Sequence, residues 1–204
     1  MFKMDERTKY WLWLRDLKGL GNATCKKLLQ VFQTPEELYF ATKAELLAVP
    51  GIGAKTAETI LRNRSLSKAE RILEKMNRLD IRLLTIEDVY FPEEIAELTD
   101  APFILYYRGT MRKESMGVAI IGARRCSGYG KRVAKEAAEY LASNNITVIS
   151  GMAKGIDGYA HTACINAKSY TLAFVGHGLD MCYPPEHEGL MEAIIENGAV
   201  MSEY

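Results

Sequence analysis

The feature that most constrains the fold is a regular alternation of apolar strands, glycine-rich loops and helices in the second half of the chain. Short apolar runs predict strands at residues 117–121, 146–150, 170–175 and 199–203. Helical connections between consecutive strands give right-handed crossovers and therefore a parallel sheet. Strands that are apolar almost throughout are typical of a sheet covered on both faces. We therefore predict an α/β domain with a parallel sheet.

Residues 7–78 have a different pattern, in which apolar residues recur at helical spacing without strand-like alternation. Thr34 and Pro35 stand where the N-cap and the first residue of a helix are expected. The pattern predicts a small bundle of about five helices. Trp11 and Trp13 lie on different faces of the first helix, so we expect at most one of them to be in the core.

The pattern changes near residue 80, where two apolar runs at 81–86 and 103–107 predict strands around a short helix. We place the domain boundary there, with a helical domain at residues 1–79 and the α/β domain at residues 80–204. A doubly wound sheet usually has five or six strands, and a helix covers the last one. We therefore expect the sheet to be truncated at its C-terminal end, with its remaining strands outside this sequence.

The formal net charge of zero conceals an uneven distribution along the chain. Residues 1–80 hold 15 Lys and Arg against 10 Asp and Glu, whereas residues 81–204 hold 11 against 16. Within the acidic part, residues 116–155 carry six basic side chains and only two acidic ones. Local charge matters more than the total for a partner that docks on one face, but the charge counts alone favour an ordinary solvated surface.

Two Gly-apolar-Gly turns, Gly19-Leu20-Gly21 and Gly51-Ile52-Gly53, each open into a helix. Free backbone N–H groups at a helix start, together with the helix dipole, suit a phosphate oxygen. Lys55 follows the second turn, which resembles the helix-hairpin-helix motif of DNA repair proteins, and could add a charge-assisted contact. The alternative is a structural corner between two helices, and the sequence favours neither.

Three glycine-rich loops follow the predicted strands, at residues 122–130, 150–157 and 176–184. Because ligands of an open parallel sheet bind beyond the carboxyl ends of its strands, these loops should meet at one edge. Arg124, Arg125 and Lys154 add positive charge to exposed amides and helix starts, which predicts phosphate binding. None of the loops has the spacing of a dinucleotide fingerprint, a P-loop or a nucleophile elbow.

Four motifs in register resemble the successive signatures of the DprA/Smf family: IIGARRxSxYG at 120–130, SGMAKGIDxxAH at 150–161, GxGLDxxYP at 176–184, and SE at 202–203. The resemblance implies an extended Rossmann-like parallel sheet with helices on both faces, preceded by a small all-α helix-hairpin-helix (SAM-like) domain. It also implies single-stranded DNA binding and protection during natural transformation, loading of the recombinase RecA, and a homodimer of the full-length protein.

When the roles of the family's motif residues are assigned to the matching positions of this sequence, the resemblance implies that Arg124 and Lys154 contact phosphates. Hydroxyl and amide donors would come from Ser127, Gly122, Gly151 and Gly155. With Arg125 and Lys55, these residues complete the set expected to bind DNA. Ala123 departs from the family pattern, in which serine is common, and one hydroxyl donor is thereby lost. The family also continues beyond SE with further strands and an R-N-R motif, and the resemblance implies that the RecA and dimer surfaces lie in that further part.

Two His and Cys pairs, His161 with Cys164 and Cys182 with His187, raise the idea of a metal site. Zinc needs four convergent ligands, and these pairs stand on different segments, so we expect neither a metal nor another cofactor. We instead expect Cys164 in the core, His161 hydrogen-bonded near its helix start, and Asp157 as the N-cap of that helix.

The rival function is a nucleotide-binding Rossmann enzyme or sensor of the phosphoribohydrolase type. Those enzymes carry a P-G-G-x-G-T-x-x-E string that is not found here, and no catalytic motif is found, so we expect a binding protein rather than an enzyme. The four scattered cysteines contain no C-x-x-C pair and indicate reduced thiols in the cytoplasm. The sequence contains no run of about 18 apolar residues, so it predicts no membrane span.

Overall fold

The computed structural model describes residues 7–113 and 116–204. The chain divides into two compact units, the first ending at Ile104 and the second running from Leu105 to Tyr204. Parts of both predicted domains, at residues 1–6 and 114–115, lie outside the described residues. No helix in the described part of the chain is both long and apolar enough to cross a lipid bilayer.

The first unit begins with a bundle whose helices are α1 (Thr8–Asp16), α2 (Asn22–Phe32), α3 (Pro35–Phe40), α4 (Lys43–Ala48), α5 (Ala54–Arg62) and α6 (Ser67–Arg78). The predicted cap at Thr34 is confirmed, because its hydroxyl oxygen accepts a hydrogen bond from the amide of Glu37 at 3.1 Å. One helix more than expected is found, since Thr42 starts α4 with a capping box to Glu45.

Both tryptophans of α1 are buried, so the expectation that at most one belongs to the core is wrong. Trp13 packs edge-on against the Tyr39 ring and donates its indole N–H to the carbonyl oxygen of Asn63 at 2.8 Å. Trp11 lies on the other side of the helix, with its ring centroid 6.3 Å from that of Phe103. The helix therefore has apolar neighbours on two sides, which periodicity within its own sequence does not reveal.

The later elements alternate strands with helices, as predicted. They are β1 (Arg82–Thr85), α7 (Glu93–Glu97), β2 (Ile104–Gly109), β3 (Gly117–Ala119), α8 (Gly128–Ser143), β4 (Thr147–Ser150), α9 (Ile156–Asn166), β5 (Thr171–Val175), a 3₁₀ turn (Pro185–His187), α10 (Glu188–Asn197) and β6 (Ala199–Ser202). The six strands form one sheet in the order β1-β2-β6-β5-β4-β3. Neighbours among β3 to β6 run parallel, and the predicted α/β class is confirmed.

Strand β2 runs antiparallel to β6, with Tyr106 opposite Ser202 and Gly109 opposite Ala199. The chain then passes to β3 at the far edge of the sheet. From there β4, β5 and β6 follow one another across the sheet towards β2. Right-handed crossovers in one direction place α8, α9 and α10 on the same face of the sheet. The loops at the carboxyl ends of β3, β4 and β5 are consequently neighbours along one edge.

The core between α8, α9 and the sheet is built largely from small side chains. Its buried members are Ala138, Ala142, Val148, Ala160, Ala163 and Cys164. Alanines on facing helices allow the two backbones to approach closely. The N-terminal ends of α8 and α9 lie at the same edge of the sheet because each helix follows one of two parallel strands. The prediction that Cys164 belongs to the core is confirmed.

The two compact units divide after Ile104, which is later in the chain than the domain boundary predicted after residue 79. In this division β1 and α7 belong with the helices, and the ammonium group of Lys26 on α2 donates to the carbonyl oxygen of Leu98 at 2.6 Å. The sequence pattern indicates which secondary structure a segment forms, but not which core that segment joins. The domains at residues 1–79 and 80–204, as independent folding units, therefore remain a proposal.

Candidate nucleic-acid interface

The first loop joins β3 to α8 and contains four of the predicted site residues. Ser127 is the N-cap of α8, and its hydroxyl oxygen accepts a hydrogen bond from the amide of Gly130 at 3.1 Å. The Ser127 hydroxyl proton is therefore free to point outward, beside the positive end of the helix dipole. Arg124 and Arg125 are exposed, and no carboxylate among residues 7–113 and 116–204 forms an ion pair with either of them.

The second loop joins β4 to α9 and is folded around the buried carboxylate of Asp157. One oxygen of that carboxylate accepts hydrogen bonds from the amides of Gly151, at 3.1 Å, and Ala153, at 3.4 Å. The expectation that Asp157 caps its helix is wrong, because the N-cap is Gly155 and Asp157 bonds to the loop instead. The Gly151 amide points inward to this carboxylate, so it is engaged within its own loop.

Glycines at two positions bring the first and second loops together. Gly155 has a φ of +81°, and a Cβ placed there would lie 2.3 Å from the carbonyl oxygen of Ala123 and 2.6 Å from that of Arg124. A Cβ on Gly122 would lie 2.7 Å from the Ile156 side chain. Only glycine permits this approach, so the backbone beside Arg124 and the backbone beside Lys154 meet at one edge of the sheet.

The third loop contacts the second through the 3₁₀ turn that precedes α10. Glu186 forms an ion pair with Lys154, and the imidazole Nδ1 of His187 donates to the carbonyl oxygen of Met152 at 2.9 Å. The Lys154 ammonium, through its hydrogen bond to the carboxylate, lowers the pKa of Glu186 below its ordinary value. Sequence reasoning missed Glu186. The one signal for it was an acidic residue just after Tyr183-Pro184-Pro185, at the end of a glycine-rich loop.

The first half of α8 adds further cations close to aromatic rings. The Lys131 ammonium lies 4.6 Å from the centroid of the Tyr159 ring, and the Arg132 guanidinium lies 5.6 Å from that of Tyr129. Tyr129 itself is 68% exposed in the first turn of the helix. The positive charge of the two loops therefore continues into the first half of α8, beside the exposed Tyr129 ring and the half-buried Tyr159 ring. Arg132 also pairs with Glu136, at 4.0 Å, so Lys131 is the less neutralised of the two cations.

His161 is buried at the centre of the same unit and has no access to the loop surface. Its Nδ1 lies 2.8 Å from the Thr171 hydroxyl oxygen, and that hydroxyl donates in turn to the carbonyl oxygen of Val148, so Nδ1 carries the proton. Burial, reinforced by His187, lowers the pKa of His161 to about 4. The described residues contain no group of three or more His, Cys, Asp or Glu side chains that could hold a metal ion.

The two helical hairpins of the first unit have the backbone that their sequence predicts. Gly19 and Gly51 have φ values of +85° and +81°, and Gly53 is the N-cap of α5. Lys55 is exposed in the first turn of α5. A Cβ on Gly51 would lie 3.0 Å from the ammonium nitrogen of Lys27, a second cation at this turn that sequence reasoning missed.

The structure thus brings seven of the eight predicted site residues onto two adjacent loops of the second unit. These are Gly122, Arg124, Arg125, Ser127, Gly151, Lys154 and Gly155. The eighth, Lys55, belongs to the first unit and is a separate candidate. This edge is able to hold consecutive phosphates, because it presents exposed guanidinium groups, a free hydroxyl and a helix start.

Comparison with protein families gives two matches. Residues 82–204 match the model of the DNA recombination-mediator protein A family. Residues 14–63 match that of the SAM-like helix-hairpin-helix tandem, which covers both glycine turns. Protein Smf of Synechocystis is 34% identical over 200 residues, which are 96% of this chain and 50% of that protein. The chain spans about half the length of the curated relatives it matches.

Two solved structures are similar to this chain. The X-ray structure of DNA processing protein A from Streptococcus pneumoniae has a TM-score of 0.77 at 27% identity, over 97% of this chain and 68% of that one. DNA processing protein A from Helicobacter pylori has a TM-score of 0.54 at 31% identity, over 60% of this chain and 56% of that one. The second structure was determined to explain how that protein binds single-stranded DNA.

Proposed function

Because this chain belongs to the DNA recombination-mediator protein A (DprA/Smf) family, we propose that it binds single-stranded DNA along the loop edge of its sheet. The observation that carries the proposal is the close approach of two loops at Gly155, which sets exposed, unneutralised arginines beside the start of α8. That edge has several separate groups that are able to bind phosphate, and it has no dinucleotide fingerprint. It therefore fits a chain of phosphates better than one cofactor.

In the proposed complex Arg124 and Arg125 bind consecutive phosphates by charge-assisted hydrogen bonds, and the Ser127 hydroxyl donates to a third oxygen. Lys154 joins them from the second loop. Gly122 and Gly155 act through the backbone, by allowing the two loops to approach, whereas Gly151 acts by donating its amide to Asp157 within the second loop. The exposed Tyr129 ring offers a face on which a base stacks, so the strand is held by its backbone and its bases are weakly discriminated.

The first prediction concerns Arg124. We expect Arg124→Ala to weaken binding of a labelled dT oligonucleotide about ten- to hundredfold, because one charge-assisted contact is worth about 1.5–3 kcal/mol. The logarithmic salt dependence of the binding constant should become shallower by about 0.7, the value for one lost phosphate contact on a single strand. Fluorescence anisotropy titrations at two salt concentrations measure both quantities.

Arg62→Ala is the matched control, since this exposed arginine is paired with Glu58 on a helix of the first unit and its removal changes the net charge equally. Its affinity should stay within a factor of two of the wild type. Equal affinity of the wild type for duplex and single strand would contradict the proposed edge, because two strands cannot both follow it. Thermal stabilisation by mononucleotides but not by oligonucleotides would favour the nucleotide-binding enzyme or sensor.

The second prediction concerns the helix-hairpin-helix turn. If the turn contacts DNA, Lys55→Glu should weaken oligonucleotide binding about threefold to tenfold, because an attractive charge at the start of α5 becomes a repulsive one. Glu58→Lys, which adds charge one turn further along the same helix, serves as the position control in the same anisotropy assay. An unchanged affinity for Lys55→Glu would mean that the turn is a structural corner.

For the full-length protein we propose the roles that the family implies: protection of incoming DNA in natural transformation, loading of RecA, and assembly as a homodimer in the cytoplasm. The matched family is one of recombination mediators, which supports a role through binding rather than catalysis. The chain spans about half the length of the relatives it matches, and we propose that the RecA and dimer surfaces lie in the other half. RecA binding is therefore to be tested on a longer protein, by co-purification in the presence of single-stranded DNA.

A further inference from the structure

The 3₁₀ turn Pro185–His187 holds the side chain of Glu186 against Lys154. The turn is anchored by its neighbour, since His187 donates to the carbonyl oxygen of Met152 at 2.9 Å in the same loop that carries Lys154. A Cβ added at Gly158 would lie 2.9 Å from the His187 ring, so α9 also confines that ring. The turn that carries Glu186 is therefore held in place by contacts other than the ion pair itself.

Lys154 differs from the other cations of the two loops because it is paired with a carboxylate. Neither Arg124 nor Arg125 has a carboxylate within 4.0 Å in the part of the chain that the structure describes, whereas Lys154 is neutralised by Glu186. The side chains of Lys154 and Glu186 are 54% and 52% exposed, so solvent and a phosphate can both reach the pair. Ion pairs with this exposure are weak and exchange readily with other anions.

We propose that Glu186 is an internal competitor for phosphate, whose carboxylate occupies Lys154 until a phosphate of the bound strand displaces it. This inference rests on the proposed function, since it concerns the same loop edge. A carboxylate and a phosphodiester each carry one negative charge and accept from the same ammonium group. Arg124 and Arg125 hold the strand while the exchange takes place. Glu186 thus lowers the affinity for DNA and reduces the number of cations released on binding.

The test removes the charge of Glu186 and keeps its shape. We expect Glu186→Gln to bind a labelled dT oligonucleotide about two- to fivefold more tightly than the wild type, the range for loss of one exposed ion pair. The logarithmic salt dependence should become steeper by up to about 0.7, because a displaced carboxylate no longer takes up a cation. Glu188→Gln removes the same charge from an exposed position two residues away and should change the affinity by less than a factor of two.

A double-mutant comparison shows whether the effect passes through Lys154. Lys154→Ala and the double variant Lys154→Ala/Glu186→Gln should bind equally well, because the competitor has nothing left to occupy. Weaker binding by Glu186→Gln alone would overturn the proposal and make Glu186 a residue that positions Lys154. An equal gain in Glu188→Gln, or in the Lys154→Ala background, would overturn it in favour of a general charge effect.

The test of Glu186 and the test of DNA binding can fail independently of each other. If the wild type binds in a salt-dependent manner and Arg124→Ala weakens it, the function stands whatever Glu186→Gln does. If the wild type fails to bind and Glu186→Gln binds, competition by Glu186 is supported and is strong enough to block the edge. If neither binds at low salt, both proposals are overturned.

Discussion

Gly155→Ala is expected to lower the free energy of unfolding by about 2–4 kcal/mol and to abolish most of the oligonucleotide binding. The residue has a φ of +81°, where an L side chain is strained, and the added methyl group would lie 2.3 Å and 2.6 Å from two carbonyl oxygens. Backbone atoms cannot rotate away as a side chain can. The first loop must therefore move, taking Arg124 away from Lys154, and thermal unfolding with anisotropy titration measures both effects.

Gly128→Ala is the control for this substitution. Gly128 is the first residue of α8, on the same loop edge, and a Cβ there would meet no other atom within 4 Å. Alanine is the better helix former, so we expect a stability change of less than about 1 kcal/mol, if anything an increase, and unchanged DNA binding. If Gly155→Ala proves as stable as Gly128→Ala, the two loops do not approach as closely as described.

Acid is expected to destabilise the second unit through His161. The unfolded chain takes up a proton at its ordinary pKa of about 6.5, whereas burial in the folded protein holds the pKa of His161 at about 4. The neutral ring is favoured in the folded state, so its stabilisation is fully present above pH 6.5 and is lost as the pH falls towards 4. Between pH 6.5 and pH 4 the free energy of unfolding should therefore fall by about 3 kcal/mol.

The Nε2 atom of His161 explains why protonation is resisted. It is buried and has no hydrogen-bond partner among the described residues, so a proton there would bring an uncompensated charge into the core. His161→Asn keeps a donor towards Thr171 and does not titrate. We therefore expect this variant to be less stable at pH 7 but to lose much less stability between pH 7 and 5 than the wild type does.

Ile194→Val is the non-titrating control for the acid series. Ile194 is fully buried in the same unit, and loss of one methyl group should cost about 1 kcal/mol at every pH. Its free energy of unfolding, measured with urea at several pH values, should run parallel to that of the wild type. A His161→Asn curve that also runs parallel to the wild type would show that His161 is not the source of the acid sensitivity.

Much of the candidate site was predictable because it depends on local sequence. Apolar runs and glycine-rich loops locate β3, β4 and β5 and the loops that follow them, and parallel strands necessarily place those loops at one edge. Arg124, Arg125 and Lys154 could therefore be assigned to a single surface from their positions relative to the strands. The cap at Thr34 followed in the same way from its own four residues.

What the sequence failed to predict depends on contacts between distant segments. The pairing of Lys154 with Glu186 joins residues of two different loops, and no pattern within either loop encodes it. Asp157 was mistaken for a helix cap because its position allows that role, whereas the fold turns its carboxylate to Gly151 and Ala153. The antiparallel pairing of β2 with β6 likewise unites strands from opposite ends of the unit.

The sequence by itself determined the order of strands and helices, the family, and the residues that carry charge to the loop edge. These follow from periodicity, turn chemistry and motif spacing, which act over a few residues. The tertiary structure alone decided which of those charges are free and which are neutralised, and why glycine is required at 155. Those outcomes depend on distances of a few ångströms between segments far apart in the chain, and such distances are set only when the whole core packs.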